Sequence, residues 1–84
     1  MIETMPPIPV AMTIIDTRGA VWPSPLRQLM EAALVGWVGE TIAVRLADRA
    51  ALAEINAWIR AEGHGLIGLY ERHGFDEVIV EIRH

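Results

Sequence analysis

The stretch of sequence that decides the fold reads Asp16-Thr17-Arg18-Gly19-Ala20-Val21-Trp22-Pro23-Ser24-Pro25. It follows an apolar run and precedes an amphipathic one, which is typical of a strand that turns into a helix. Gly19 offers the positive φ that a tight turn favours. Ser24 is the predicted N-cap of the helix, and Pro25 is its predicted first residue because the first turn does not use the N–H that proline lacks.

The elements on either side of this stretch follow from hydrophobic spacing. Residues 10–17 are apolar and β-branched and predict a strand, and since Ile14 and Ile15 point to opposite faces we expect it to be buried on both sides. After Pro25 a helix is predicted to about residue 35, where Gly36 ends it. The expected apolar face of this helix consists of Leu26, Leu29, Met30, Ala33, Leu34 and Trp37.

The rest of the chain completes the same unit. Residues 40–47 alternate between apolar and polar and predict a second strand, and a second helix is predicted from an Asp48 cap to about residue 62. Residues 64–72 and 75–83 are two further predicted strands, joined by a connection short enough for a hairpin. The predicted fold is a two-layer α/β sandwich of order β-α-β-α-β-β, with a mixed four-stranded sheet and both helices on one face.

The 84 residues fit a single domain with a small core. The domain is predicted to occupy residues 10–84, after a flexible proline-rich arm at residues 1–9, because prolines cannot donate the hydrogen bonds of a sheet. Trp37 and Trp58 follow helical spacing and are expected to be core or partly buried. The acidic residues near the end of the chain are predicted to form a solvated sheet edge: Glu71, Asp76, Glu77 and Glu81.

Composition excludes several classes of function. Acidic residues outnumber basic ones by 11 to 7, a net charge of -4, so nucleic acid is not an expected partner. The chain has no cysteine, which excludes a disulfide framework, a zinc–cysteine site, an iron–sulfur cluster and a thiol nucleophile. No apolar run reaches the ~18 residues of a membrane-spanning helix, so we expect a cytoplasmic protein without a membrane partner. We expect no cofactor and no metal, since His64, His73 and His84 lack tight ligand spacing.

Residues 16–25 resemble the signature of the TusA family, also called SirA-like proteins, which reads Asp-x-x-Gly-x-x-Cys-Pro-x-Pro and often has Arg before the Gly. Five residues lie in register with that signature: Asp16, Arg18, Gly19, Pro23 and Pro25. The resemblance continues with Gly39-Glu40, Asp48 and Gly63-His64, and it spans roughly residues 13 to 83. It implies the same sandwich that the hydrophobic periodicity predicts.

Trp22 stands where the family keeps its cysteine. In the family that thiol accepts a persulfide sulfur and passes it on, and a helix N-terminus favours the reactive thiolate. Indole offers no comparable nucleophile, so the resemblance implies the fold without the sulfur-carrier chemistry. It implies a non-catalytic interaction or regulatory member of a sulfur-relay system. The expected partners are a cysteine desulfurase, a DsrE-like protein or a Cys-bearing TusA-like carrier.

The expected binding residues all lie in this stretch: Asp16, Arg18, Gly19, Trp22, Pro23, Ser24 and Pro25. Trp22 either anchors a partner from an exposed position or folds back over the groove. Asp16 and Arg18 either form a charged rim for a partner or pair to fix the loop, and the pair is favoured. Ser24 is favoured as an N-cap over a nucleophile, because the sequence places no general base beside it.

Two other classes of function stay open. The N-terminus of the first helix could hold an anionic small ligand, either in a binding domain or in an enzyme with non-thiol chemistry. The chain could instead be a structural homodimer that associates through a sheet edge or through Trp22.

Overall fold

The computed structural model describes residues 12–19 and 23–84 of the chain. The elements are β1 (Thr13–Asp16), α1 (Pro25–Val35), β2 (Thr41–Leu46), α2 (Arg49–Glu62), β3 (Gly65–Arg72) and β4 (Phe75–Glu81). This order confirms the predicted β-α-β-α-β-β sandwich. The predicted arm at residues 1–9, the first two residues of the predicted first strand and Trp22 lie outside the described residues.

The sheet is mixed and has the strand order β1-β2-β4-β3. β1 and β2 run parallel, with Ile15 opposite Val44, whereas β4 runs antiparallel to both of its neighbours. The parallel pair requires a crossover connection, which α1 provides. The carboxyl ends of β1 and β2 therefore meet at the same end of the sheet, and α1 and α2 both begin there.

Both helices cover one face of the sheet. Alternate residues of β2 and β4 point to this face, because side chains along a strand alternate between its two sides. The buried side chains that form the core are Leu29, Ile42, Val44, Leu46, Ala51, Ile55, Ile59, Val78, Val80 and Ile82. We call the other face, which no described helix covers, the open face; its charged residues must find partners within the sheet or the loops.

The predicted helix ends are confirmed by their hydrogen bonds. The Ser24 hydroxyl accepts from the Arg27 N–H at 3.2 Å, which caps α1. At the start of α2, the Asp48 carboxylate accepts from the Ala50 N–H at 2.9 Å. Gly63 ends α2 with a φ of 77°, a left-handed conformation that glycine adopts without strain. Short-range sequence signals are therefore enough to define where both helices lie.

β1 is shorter and more exposed than predicted. It begins at Thr13, and Ile14 is 54% exposed, while Ile15 packs against the core. The prediction that this strand is buried on both faces was wrong, because β1 lies at the edge of the sheet and Ile14 is on the open face. The other three strands end within two residues of their predicted bounds.

The apolar face of α1 also ends earlier than predicted. Leu34 is 84% exposed and Trp37 is 64% exposed, so neither belongs to the core. The reason for Trp37 is that α1 ends at Val35 and Gly36 is extended, so the helical spacing is not continued. Trp58, by contrast, is partly buried against the core, as predicted.

A buried carboxylate that the sequence did not reveal fastens the loop between α1 and β2. The two carboxylate oxygens of Glu40 accept from the Thr13 hydroxyl at 2.7 Å and from the Trp37 N–H at 3.2 Å. Gly36 leaves room for this carboxylate, because a Cβ at that position would collide with it. The exposed loop that carries Trp37 is thus fixed to β1.

Candidate functional site

The candidate site lies where β1 leads into α1. Thr17 directly follows β1 and is buried, and its N–H and hydroxyl both donate to the Arg45 carbonyl, at 3.1 and 2.6 Å. These bonds extend the pairing of β1 with β2 by one residue and set the direction in which the chain leaves the sheet. Gly19 follows with a φ of 81°, the positive value predicted for this turn.

Asp16 and Arg18 form the ion pair that the sequence favours. One carboxylate oxygen of Asp16 accepts from the Arg18 backbone N–H at 3.1 Å and from its Nε at 2.8 Å. The other oxygen accepts from Nη2 at 2.6 Å. The side-chain bonds from Arg18 hold the pKa of the Asp16 carboxyl well below its usual range, and the same bonds raise the pKa of Arg18. Both groups are therefore charged at neutral pH, and the pair fixes this end of the loop.

Arg18 also reaches across the open face to the last strand. Its guanidinium carbon lies 4.2 Å from the centroid of the Phe75 ring, and that of Arg45 lies 5.9 Å from the same ring. Both distances fit a cation–π contact. Phe75 is not among the candidates from the sequence. Its position depends on the pairing of β4 with β2, which brings the start of β4 beside the carboxyl end of β2. The sequence did not predict this pairing.

A second carboxylate is enclosed by arginines on the open face. Glu77 lies opposite Arg45 and accepts from its Nε at 3.1 Å, and it accepts from Nη2 and Nε of Arg72 at 2.9 and 3.1 Å. The hydrogen bonds from Arg72, with those from Arg45, lower the pKa of Glu77 against the opposing effect of burial. The prediction that Asp76 and Glu77 belong to a solvated edge was wrong. Both are buried, and Asp76 pairs with Arg49 at 3.2 Å.

The first turn of α1 is held by its own side chains. Pro25 occupies the start of the helix, and the Ser24 hydroxyl is engaged as the cap. Gln28 donates from Nε2 to the Pro23 carbonyl at 2.9 Å, which ties the turn to the helix. Trp22 precedes this turn and lies outside the described residues, so both predicted alternatives for its side chain, an exposed anchor or a cover over the groove, stay open.

A cavity of about 250 Å³ lies between the starts of the two helices. It is lined by Thr17, Gly19, Ser24, Pro25, Ala47, Asp48 and Ala51. Three of the predicted site residues thus share one cavity, whereas Asp16 and Arg18 are turned to the open face. The Asp48 carboxylate in the lining is unfavourable for an anionic ligand. A small-ligand site here stays a prediction.

The histidines lie at two different ends of the molecule. The rings of His64 and His84 are 5.5 Å apart, and the His64 ring is 5.1 Å from that of Trp58. Nδ1 of His64 accepts a hydrogen bond from the Arg83 backbone N–H at 3.0 Å, so this nitrogen is already occupied by a contact within the chain. His73 lies in the turn of the β3–β4 hairpin. Within the described residues, no group of three or more His, Cys, Asp or Glu side chains could hold a metal ion.

Comparison with solved structures shows the class of fold. The crystal structure of a SirA-like protein from Desulfitobacterium hafniense matches with a TM-score of 0.74 over 87% of this chain and 100% of that chain. The two chains are 23% identical in sequence. The α/β sandwich with a helix-opening loop at the end of β1 is therefore a SirA-like fold.

A sequence relative agrees with this assignment. The chain is similar to a protein of Archaeoglobus fulgidus that is provisionally named a sulfur carrier protein. They are 26% identical over 70 residues, which cover 83% of this chain and 96% of the relative. The names of both relatives agree with a resemblance to the TusA or SirA-like family, although no family model matches the chain. Among the described helices, none is long and apolar enough to cross a bilayer.

Proposed function

We propose that this protein is a TusA-like member of a sulfur-relay system that binds another relay protein and carries no sulfur itself. The observation that carries the proposal is a SirA-like fold in a chain of 84 residues without a cysteine. Relay of persulfide sulfur requires a thiolate that accepts the sulfur and a second thiolate that removes it. In this chain the surface that corresponds to a sulfur carrier's therefore binds another relay protein, or regulates one, without carrying sulfur.

The proposed contact surface is the loop at residues 16–25, with Trp22 near its centre. On one side of Trp22 the loop is fixed by the pair of Asp16 and Arg18, and on the other side Ser24 caps α1. Because both flanks are ordered before binding, a partner loses little free energy in ordering them. Tryptophan is among the residues that contribute most to protein interfaces.

The proposed partners are a cysteine desulfurase, a DsrE-like protein or a Cys-bearing TusA-like carrier. The sulfur-carrier name of the Archaeoglobus relative supports this choice, as does the register of residues 16–25 with the family signature. A protein that occupies the docking surface of a carrier and takes no sulfur competes with the carrier. We therefore propose regulation of sulfur flow as the outcome of binding.

Removal of the Trp22 side chain tests the contact. We expect Trp22→Ala to weaken binding to a purified partner at least tenfold, because an aromatic anchor contributes about 2 kcal/mol or more. Trp37→Ala is the matched control, since Trp37 is exposed and follows the opposite end of α1, and it should bind like the wild type. Isothermal titration calorimetry measures these affinities. No binding by the wild type to any of the three partner classes, or equal binding by Trp22→Ala, would overturn the proposal.

Mass spectrometry tests the expected lack of sulfur transfer. After incubation with a cysteine desulfurase and L-cysteine, the wild-type chain should keep its mass. Trp22→Cys should gain the mass of sulfur in a form that a reducing agent removes, because position 22 precedes the Ser24 cap of α1 by two residues and a helix N-terminus favours a thiolate. Trp37→Cys provides the same thiol away from the loop and should load at least tenfold more slowly. A reducible sulfur adduct on the wild-type chain would contradict the non-carrier role.

A further inference from the structure

The outer edge of β3 is a long row of backbone groups without a described strand beside it. β3 has eight residues and is the longest of the described strands. β4 pairs with one side of it, and within residues 12–19 and 23–84 no strand pairs with the other side. An exposed edge of this length is a template for pairing with a further strand.

Apolar side chains add to this edge. Four apolar side chains of β3 have 43% to 51% of their surface exposed: Leu66, Ile67, Leu69 and Tyr70. Edge strands are commonly protected by lysine or proline, and β3 contains neither. A register shift between Leu66 and Gly68 disturbs the first part of the strand and leaves residues 68–72 regular.

The two charged residues of β3 are compensated within the chain. The Glu71 carboxylate forms an ion pair with Arg49 of α2. The Arg72 guanidinium donates a hydrogen bond to the Glu77 carboxylate of β4 at 2.9 Å. The Arg72 guanidinium also lies 4.7 Å from the centroid of the Tyr70 ring. The edge therefore presents no uncompensated charge that would repel a second strand.

We infer that β3 pairs with β3 of a second copy of this chain, antiparallel about a two-fold axis, to form a continuous eight-stranded sheet. A row of N–H and C=O groups is complementary to another extended strand, which makes a strand the fitting occupant. β1, the other edge of the described sheet, has four residues. Pairing of β3 with β1 of a second copy would be head-to-tail and would not close, whereas β3 with β3 closes after two copies.

The regular part of β3 sets the register of this pairing. Its midpoint is Tyr70, which therefore lies on the two-fold axis. The facing pairs are Tyr70 with Tyr70, Leu69 with Glu71, and Gly68 with Arg72. Both members of each pair lie on the same face of the sheet, as antiparallel pairing requires. The Tyr70 ring lies over Gly68 of its own chain, so Arg72 of the second copy meets an aromatic face there.

This dimer leaves the candidate site accessible. β1 and β3 are opposite edges of the sheet, and the loop at residues 16–25 follows β1. The inference therefore goes beyond the proposed function, and either one can fail without the other.

Sedimentation equilibrium tests the dimer. The wild-type chain should reach twice its mass of 9.3 kDa at high micromolar concentration. Leu69→Glu should weaken association at least tenfold, because it replaces an apolar contact by an uncompensated carboxylate on the pairing edge, opposite Glu71 of the second copy, and charged side chains protect an edge from pairing. Val35→Glu is the matched control, since it also replaces an exposed apolar side chain but lies outside β3, and it should associate like the wild type. Far-UV circular dichroism confirms that both variants fold.

A cysteine cross-link tests the register directly. Because the chain has no cysteine, Tyr70→Cys supplies a single thiol. It should form an intermolecular disulfide at least tenfold faster than Val35→Cys, since facing residues of antiparallel strands have Cα separations that a disulfide spans. A wild type that stays monomeric at every concentration overturns the inference. The inference is also overturned if Val35→Glu loses association while Leu69→Glu keeps it. Equal rates of disulfide formation in Tyr70→Cys and Val35→Cys would overturn it too.

Discussion

Glu77 illustrates how a charged side chain is buried on a sheet face that no described helix covers. Arg45 on the neighbouring strand and Arg72 on the hairpin bond both of its carboxylate oxygens. A carboxylate with both oxygens bonded to guanidinium groups is far less costly to bury than an unpaired one. The stability of the open face therefore depends on this charge.

Replacement of the Glu77 carboxylate by an amide tests that dependence. The pKa of Glu77 is lower in the folded chain than its ordinary value of 4.5, so its bonds stabilise the fold above that value. This contribution is lost as the pH falls through 4.5 towards the folded pKa. We expect Glu77→Gln to lower the free energy of unfolding by about 1–3 kcal/mol at neutral pH, and less in acid. Urea unfolding at pH 7 and pH 3 measures the difference.

Glu54→Gln serves as the control for this prediction. Glu54 is an exposed glutamate of α2, so its replacement should change the free energy of unfolding by no more than about 0.5 kcal/mol at either pH. A destabilisation by Glu77→Gln that is equally large at both pH values would show that the side chain acts through its shape.

The contacts of the candidate site divide into those that local sequence predicts and those that it does not. Asp16 and Arg18 are two residues apart in a turn, so their ion pair follows from the local sequence. Phe75 meets Arg18, and Glu77 meets Arg45, because β4 lies beside β2. That proximity depends on the strand order, which no local pattern contains.

The two helices begin beside each other, and each beginning is encoded by a few adjacent residues. Ser24 and Asp48 both supply a side-chain oxygen to an N–H of the first turn. Such caps act over two or three residues, so the sequence predicts them well. The other end of α1, at Gly36, was also predicted, whereas the assignment of Trp37 to the apolar face was wrong because Trp37 follows an extended Gly36.

Loss of the α2 cap provides a test at this scale. Asp48→Ala leaves the Ala50 N–H without its acceptor and should cost about 1 kcal/mol. For a domain of this size that corresponds to a fall in Tm of about 4–8 °C, which differential scanning calorimetry measures. Asp48→Asn keeps a side-chain oxygen and should stay close to the wild type. An equal loss in both variants would assign the effect to the negative charge.

At the scale of the whole molecule, the layers could be predicted and the strand order could not. Alternating apolar residues define one buried face on β2 and on β4, and two amphipathic helices are enough to cover it. That pattern is the same whether β4 lies in the middle of the sheet or at its edge. The central place of β4 is what leaves β1 and β3 as the two edges, and with them the exposed Ile14 and Leu69.

The contact of Arg18 with Phe75 has a consequence for biosynthesis. Phe75 is translated long after the loop that opens α1, and so is Glu77, which shares Arg45 with the same cluster. A nascent chain that has left the ribosome only as far as α2 has neither of them. The loop between β1 and α1 therefore gains its full support only when the β3–β4 hairpin joins the sheet.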